Sequence, residues 1–373
     1  MAALKTKAAI AYGVGKPWAV QEIEVLPPQA NEVLVRIVAS GLCHSDYHAL
    51  TGDVAPEFPT VGGHEGSGII EAVGPGVTRV EPGDHIVFSF VPSCGVCRFC
   101  ASGMQNLCDD NANAMLGLAM DGTYRARVGQ ENLRTSASIG TFRGYGTVPE
   151  TMVCKVPADI PLEVACLVGC GVPTCWGSAV NTARIKPGDV VAVIGVGGIG
   201  MNAVQGARMA GASAIVAVDT IPSKAQRAYE FGATHHAVNT SDARSVISDL
   251  TRGVMADSAI LTVGLSNGQM LQPALDLVRK GGVVVATGLA PWEDHVADLR
   301  LTEFILWQKE LRGSLYGACN PQADIPRLLG LYRTGQLKLD ELITNRYSID
   351  DINLGYEHML DGTNIRGIIV HEH

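Results

Sequence analysis

The run Val190-Val191-Ala192-Val193-Ile194-Gly195-Val196-Gly197-Gly198-Ile199-Gly200 decides the fold. A β-branched strand leads straight into G-x-G-x-x-G, an Ala/Gly-rich helix follows, and Asp219 closes the next strand about 20 residues on. A glycine-rich six alone would also suit a plain buried turn. The strand before it and the acid after it favour a dinucleotide cradle. Gly195 turns the chain, Gly197 and Gly198 let backbone approach a pyrophosphate, and Gly200 lets helix pack on strand. The helix N-terminus then offers free N–H groups to the phosphates. A carboxylate at Asp219 accepts from the ribose hydroxyls of NAD but faces the 2′-phosphate of NADP. Two such charges ~4 Å apart at an effective dielectric of ~20 repel by about 4 kcal/mol, so NAD is expected. Lys224 and Arg227 follow closely enough to soften that repulsion, and Lys224 joins the expected cofactor residues.

Outward from this turn, strand-like runs recur at 214–218, 235–238, 258–263, 283–287 and 311–315, with helix-like segments between most of them. Six strands alternating with helices predict a doubly wound parallel sheet, an α/β fold. Edge-strand pairing between subunits is expected near Val283–Thr287. Upstream, residues 1–155 read as short strands such as 33–38, 68–73 and 85–88 between Gly/Pro/Asp turns. The last stretch no longer alternates. It holds a helix-like 325–331 and a strand-like 367–370, and is expected to return to the first domain. The expected division is 1–171, 172–315 and 316–373.

Of 373 residues, 47% are hydrophobic and 17% charged, enough to bury a large core. The net charge of −9 repels a phosphate backbone, so no nucleic-acid partner is expected. The N-terminus lacks an apolar export segment, and the uncharged run 190–207 holds five glycines, Asn202 and Gln205. A cytoplasmic protein without a membrane partner is the expectation.

Ten cysteines in such a chain suggest metal rather than a disulfide framework. Cys94, Cys97, Cys100 and Cys108 form C-x2-C-x2-C-x7-C, which can wrap one ion tetrahedrally as a structural zinc lobe over about 93–110. A ferredoxin-type run would need three residues before the fourth cysteine and a proline after it; here there are seven, then Asp109. Iron–sulfur, disulfide and free-thiol readings stay open as minor alternatives. Cys43, His64 and Cys170 are too dispersed for spacing to join them, and each alone also suits a packed thiol or a turn histidine.

Cys43-His44-Ser45-Asp46, Gly63-His64-Glu65, the four-cysteine lobe, Gly169-Cys170-Gly171, the glycine turn and Asp219 occur in the order of one family. Over its whole length the chain resembles the zinc-dependent alcohol dehydrogenases of the medium-chain dehydrogenase/reductase superfamily. More narrowly, 89–94 and 337–344 resemble the nitrosoaniline (NDMA)-dependent, mycofactocin-associated subgroup. The resemblance implies a GroES-like irregular β catalytic domain beside a Rossmann domain. It implies that Cys43, His64 and Cys170 ligate a catalytic zinc, with Glu65 behind the metal and Asp46 orienting His64. Ser45 would hydrogen-bond the alcohol, and His48 would pass the proton to solvent through the cofactor ribose. His44 and Arg366 would contact the pyrophosphate, Thr174 and Ile199 would border the nicotinamide, and Phe90 would line the pocket. Hydride transfer between NAD and a primary or aromatic alcohol, or its aldehyde, is then expected. Two Zn2+ per chain, a homo-oligomer and, in the subgroup, non-exchanging NAD(H) with a separate electron acceptor are implied as well.

Two rivals stand beside this reading, a zinc-free quinone or enone reductase of the same fold and a non-catalytic NAD-binding protein. Pro173 and Cys175 depart from the family pattern near the expected nicotinamide site. His48 taken alone could be a surface-turn histidine, His235-His236 reads as a strand end, and His371-Glu372-His373 as a frayed terminus.

Overall fold

The computed structural model describes residues 2–54 and 56–373. The chain divides into two units, one running to Cys170 and resumed by Asn320–His373, the other Gly171–Cys319. The second boundary lies a few residues beyond the one read from sequence. The reason is the 3-10 turn Tyr316–Ala318, which stays with the second unit. There Cys319 Sγ lies 3.5 Å from Pro173 O, and Asn181 donates to Gly317 O at 3.1 Å.

The first unit joins a closed barrel to a seven-stranded sheet. The barrel strands are Leu4–Ala11, Ala19–Val25, Ala126–Val128, Glu131–Thr135 and Thr60–Val61. The sheet centres on Glu32–Gly41, whose apolar residues Val33, Val35 and Ile37 are fully buried with Ile86, Phe88 and Val148. Gly66–Val73 runs antiparallel to it and pairs Ser40 with Gly66. Across its other edge, Arg366–Val370 pairs antiparallel so that Ile368 faces Gly41. One register therefore brings the segments 41–43, 64–66 and 366–367 to the same end of the sheet. Helix Leu162–Ala165 and the 3-10 turn Cys166–Gly169 cross this end, tied by the Ser67 hydroxyl to Leu162 O at 2.6 Å. The terminus is not frayed. His371 is buried with Nε2 3.0 Å from Ser40 Oγ, and His373 Nε2 lies 2.8 Å from Ile37 O.

The second unit is a six-stranded parallel sheet. Its order is His235–Ala237, Ala214–Val218, Val190–Ile194, Ala256–Leu261, Val278–Ala286, Glu310–Gly313. Numbered along the chain this is 3-2-1-4-5-6, the doubly wound order. Small apolar residues such as Ala192, Val216 and Ala259, all fully buried, let helices lie close on both faces. The strand holding Val283–Ala286 has neighbours on both sides, so the edge expected there belongs to Glu310–Gly313 instead. Among the described residues, no single helix is long and apolar enough to cross a membrane.

Candidate active site and metal centres

In the second unit the strand Val190–Ile194 ends at the turn that the motif predicts, and helix Gly200–Met209 begins after it. Gly195 takes φ +88°, and a Cβ on Gly200 would lie 1.9 Å from Gly195 O, so both positions demand glycine. Nothing lies within 4 Å of where a Cβ on Gly197 would sit, which leaves that backbone open to a ligand. Asp219 Oδ2 accepts from Val196 N–H at 3.0 Å and Oδ1 from Ile221 N–H at 2.9 Å. The acid expected to bind ribose thus stands against the glycine turn. Lys224 lies in the next helix, Pro222–Phe231. Thr174 lies in the helix Gly171–Gly177, where Cys175 is fully buried, a packed thiol.

In the first unit Cys94, Cys97, Cys100 and Cys108 place their sulfurs within 4.8 Å of one another. Closest pairs are 3.9 Å apart, far beyond a disulfide bond of about 2.05 Å. A tetrahedron with metal–sulfur bonds of about 2.3 Å has edges of about 3.8 Å, so the spacing fits zinc. Main-chain N–H groups already point at the sulfurs, from Cys97 to Cys94 at 3.3 Å and from Cys100 to Cys97 at 3.4 Å. The backbone N–H groups of Asp109 and Cys100 pull the Cys97 thiol down to about 6. Burial pushes the Cys100 and Cys108 thiols up.

The dispersed trio also converges. Cys43, His64, Glu65 and Cys170 are all buried and bring one ligand atom each within 4.8 Å of the others. Cys43 caps helix His44–Thr51 in extended conformation, at the end of the central strand. His64 turns Nδ1 to Asp46 Oδ2 at 2.9 Å, which leaves Nε2 as the metal-facing nitrogen. Asp46 is itself anchored, because its Oδ1 accepts from Gly63 N–H at 3.0 Å and from Ser136 Oγ at 3.3 Å. Burial opposes charge on His64, yet Asp46 and Cys43 together raise its pKa well above the ordinary value. A hydrogen bond from Cys170 holds the Cys43 thiol well below its usual range, against the burial that opposes it. Two sulfurs and one imidazole meeting in a buried site form a donor set that fits a catalytic zinc.

The remaining expected residues fall around this centre. Ser45 Oγ is 3.6 Å from Cys43 Sγ, and the Phe90 ring stands edge-on to His64 at 5.5 Å. Glu65 is fully buried and ion-paired with Arg366, which is 5% exposed and whose Nε has no hydrogen-bond partner. The structure thus gives Arg366 a partner that sequence reading had not. His44 is exposed, its ring 6.4 Å from that of His48. His48 is buried, not on a surface turn, with Nδ1 3.1 Å from Asp53 Oδ2. Sequence reading missed Ser136, Asp53 and Tyr356. The Tyr356 hydroxyl, buried and raised in pKa, donates to Cys43 O at 3.4 Å. Ser136 and Tyr356 carry no local signal, since each arrives from a distant segment.

Comparison with known proteins agrees with this geometry. Residues 29–158 match the alcohol dehydrogenase GroES-like domain, and 198–334 match the zinc-binding dehydrogenase domain. The chain is 48% identical over 368 residues to the NDMA-dependent alcohol dehydrogenase of Amycolatopsis methanolica, covering 99% of both. An alcohol dehydrogenase zinc-binding domain protein from Burkholderia ambifaria superposes with a TM-score of 0.93 at 32% identity, over 100% of both chains. Benzyl alcohol dehydrogenase from Acinetobacter calcoaceticus gives 0.91 at 29% identity, over 99% of this chain and 100% of its own.

Proposed function

This chain belongs to the zinc-binding alcohol dehydrogenases and is an alcohol dehydrogenase; from that premise we propose that it oxidises a primary or aromatic alcohol with NAD, and reduces the aldehyde in reverse. The observation that carries the proposal is the meeting of Cys43, His64 and Cys170 around one point, with Asp46 fixing His64. These three residues would hold a catalytic zinc, and the four-cysteine lobe a structural one. Zinc bound there supplies a Lewis acid that acidifies a hydroxyl, in the best-known site by nearly nine pKa units for water. The glycine turn and Asp219 would hold NAD, which would supply the hydride acceptor.

The chain's own residues do the rest. Ser45 would hydrogen-bond the alcohol hydroxyl and His48 would pass its proton on to solvent, proton transfer of a kind typically worth 10²–10⁴-fold. Asp46 keeps the His64 ring from rotating and increases its basicity. Arg366 balances the Glu65 carboxylate, so the buried centre does not accumulate unpaired negative charge. Phe90 gives the substrate side an apolar wall. Pyrophosphate contacts at His44 and Arg366, and nicotinamide contacts at Thr174 and Ile199, complete the reading.

We further propose that NAD(H) stays bound through turnover and is reoxidised by a separate electron acceptor, a reading supported by the identity to an NDMA-dependent relative. The enzyme would act in the cytoplasm as a homo-oligomer. Native mass spectrometry tests these readings together, with two zincs, one retained NAD(H) and a multiple of the chain mass expected. In Cys43→Ala one zinc and all turnover are expected to vanish while NAD binding survives. Full activity in that variant would refute the ligand assignment.

A further inference from the structure

Asp53 belongs to no motif read from the sequence. Helix His44–Thr51 stops at Gly52, which takes φ 87° and donates its N–H to His48 O at 3.1 Å. Val54 N–H reaches the same carbonyl at 3.3 Å. This reversal folds the chain back over the helix end and sets Asp53 Oδ2 3.1 Å from His48 Nδ1. The same oxygen accepts from the Thr51 hydroxyl at 2.5 Å. The His48 side chain is 6% exposed and that of Asp53 25%, so the pair runs from the interior to the surface.

A neutral imidazole has one N–H and one lone pair, and an ionised carboxylate can only accept. A carboxylate on Nδ1 therefore places the ring proton there and makes Nε2 the unprotonated nitrogen. The Thr51 hydroxyl and His48 both favour the ionised form of Asp53 and hold its pKa below the usual value, against the burial that opposes them. The His44 ring stands on the same helix at a centroid distance of 6.4 Å from that of His48.

We propose that Asp53 is a positioning residue of the proton relay, fixing His48 as the Nδ1–H tautomer and stabilising the imidazolium formed when Nε2 takes up the substrate proton. The inference rests on the relay roles given above to Ser45 and His48. Its balance is simple. One proton arrives on Nε2 and the ring becomes cationic; one proton then leaves to water and the ring returns to neutral. Asp53 stays ionised throughout and contributes orientation and charge, as the carboxylate of a hydrolytic triad does.

The test uses holoenzyme labelled with 15N-histidine, His48 being assigned by the signals lost in His48→Gln. Above the titration range of histidine, the wild-type ring is expected to show a pyrrole-type Nδ1 and a pyridine-type Nε2. In Asp53→Asn the two shifts should move toward each other as the tautomers mix. Alcohol oxidation by that variant should fall about 10- to 100-fold in kcat with KM little changed, and Asp53→Glu should restore most of the loss. A wild-type ring protonated on Nε2 overturns the inference whatever the kinetics show. Normal kcat in Asp53→Asn overturns the functional role even if the tautomer shifts. Normal kcat in His48→Gln instead overturns the relay, and this role with it, while the tautomer measurement still reports what Asp53 does to the ring.

Discussion

A buried histidine gains or loses basicity according to what faces it, and His64 and His371 show both cases. Burial works against charge on His64, but the Asp46 carboxylate 2.9 Å from its Nδ1 and the nearby Cys43 sulfur outweigh it. Among the described residues no carboxylate acts on His371. Burial, then repulsion from His373, pulls it down to about 3 from an ordinary 6.5, against a small opposing effect of the Thr141 backbone. Because the folded value lies below the unfolded one, unfolded chains bind more protons as pH falls through 6.5, and stability drops with it. At about 1.36 kcal/mol per unit, some 2 kcal/mol from this residue should be gone about 1.5 units below that point. His371→Gln should therefore show a shallower acid decline of Tm than wild type, by roughly 4 °C over that range; parallel curves would contradict the assignment.

At the scale of one element, the glycine turn separates two functions that a single motif conflates. A Cβ at Gly200 collides with Gly195 O, so Gly200→Ala should cost about 1–3 kcal/mol and lower both Tm and NAD affinity. A Cβ at Gly197 meets nothing, so Gly197→Ala should keep its Tm and lose dinucleotide affinity alone, as read by calorimetry and NAD titration. This turn and the four-cysteine lobe could be read from the sequence because each is local; neighbouring residues supply both the ligands and the scaffold. Cys43, His64 and Cys170 could not be joined by spacing. What unites them is the register of Glu32–Gly41 against Gly66–Val73 and the 3-10 turn crossing its end, and only the family resemblance stood in for that register. Asp53 was invisible for a related reason. Its offset of five from His48 matches no helical neighbour spacing, and a left-handed glycine between them makes the contact.

For the molecule as a whole, the telling surface lies on the second unit. Helix Leu301–Leu306 has no buried residue, and Leu301, Ile305 and Leu306 are each more than 60% exposed, as are Trp292 and Val296. Glu310–Gly313, close behind in sequence, is an edge strand. So much apolar surface beside an unpaired edge is costly in water and suits self-association. Ile305→Asp combined with Leu306→Asp should shift native mass spectra toward the single chain, and an unchanged assembly would place the interface elsewhere. The first unit carries a different lesson. Its last strand, Arg366–Val370, pairs with Glu32–Gly41 and delivers the guanidinium that neutralises Glu65 beside the cysteine–histidine centre. A ribosome making this polypeptide thus lays down Cys43, His64 and Cys170 long before the residue that balances their neighbour. A message cut anywhere ahead of the Arg366 codon would therefore yield a polypeptide that holds all three ligands but leaves the Glu65 carboxylate without its counter-charge.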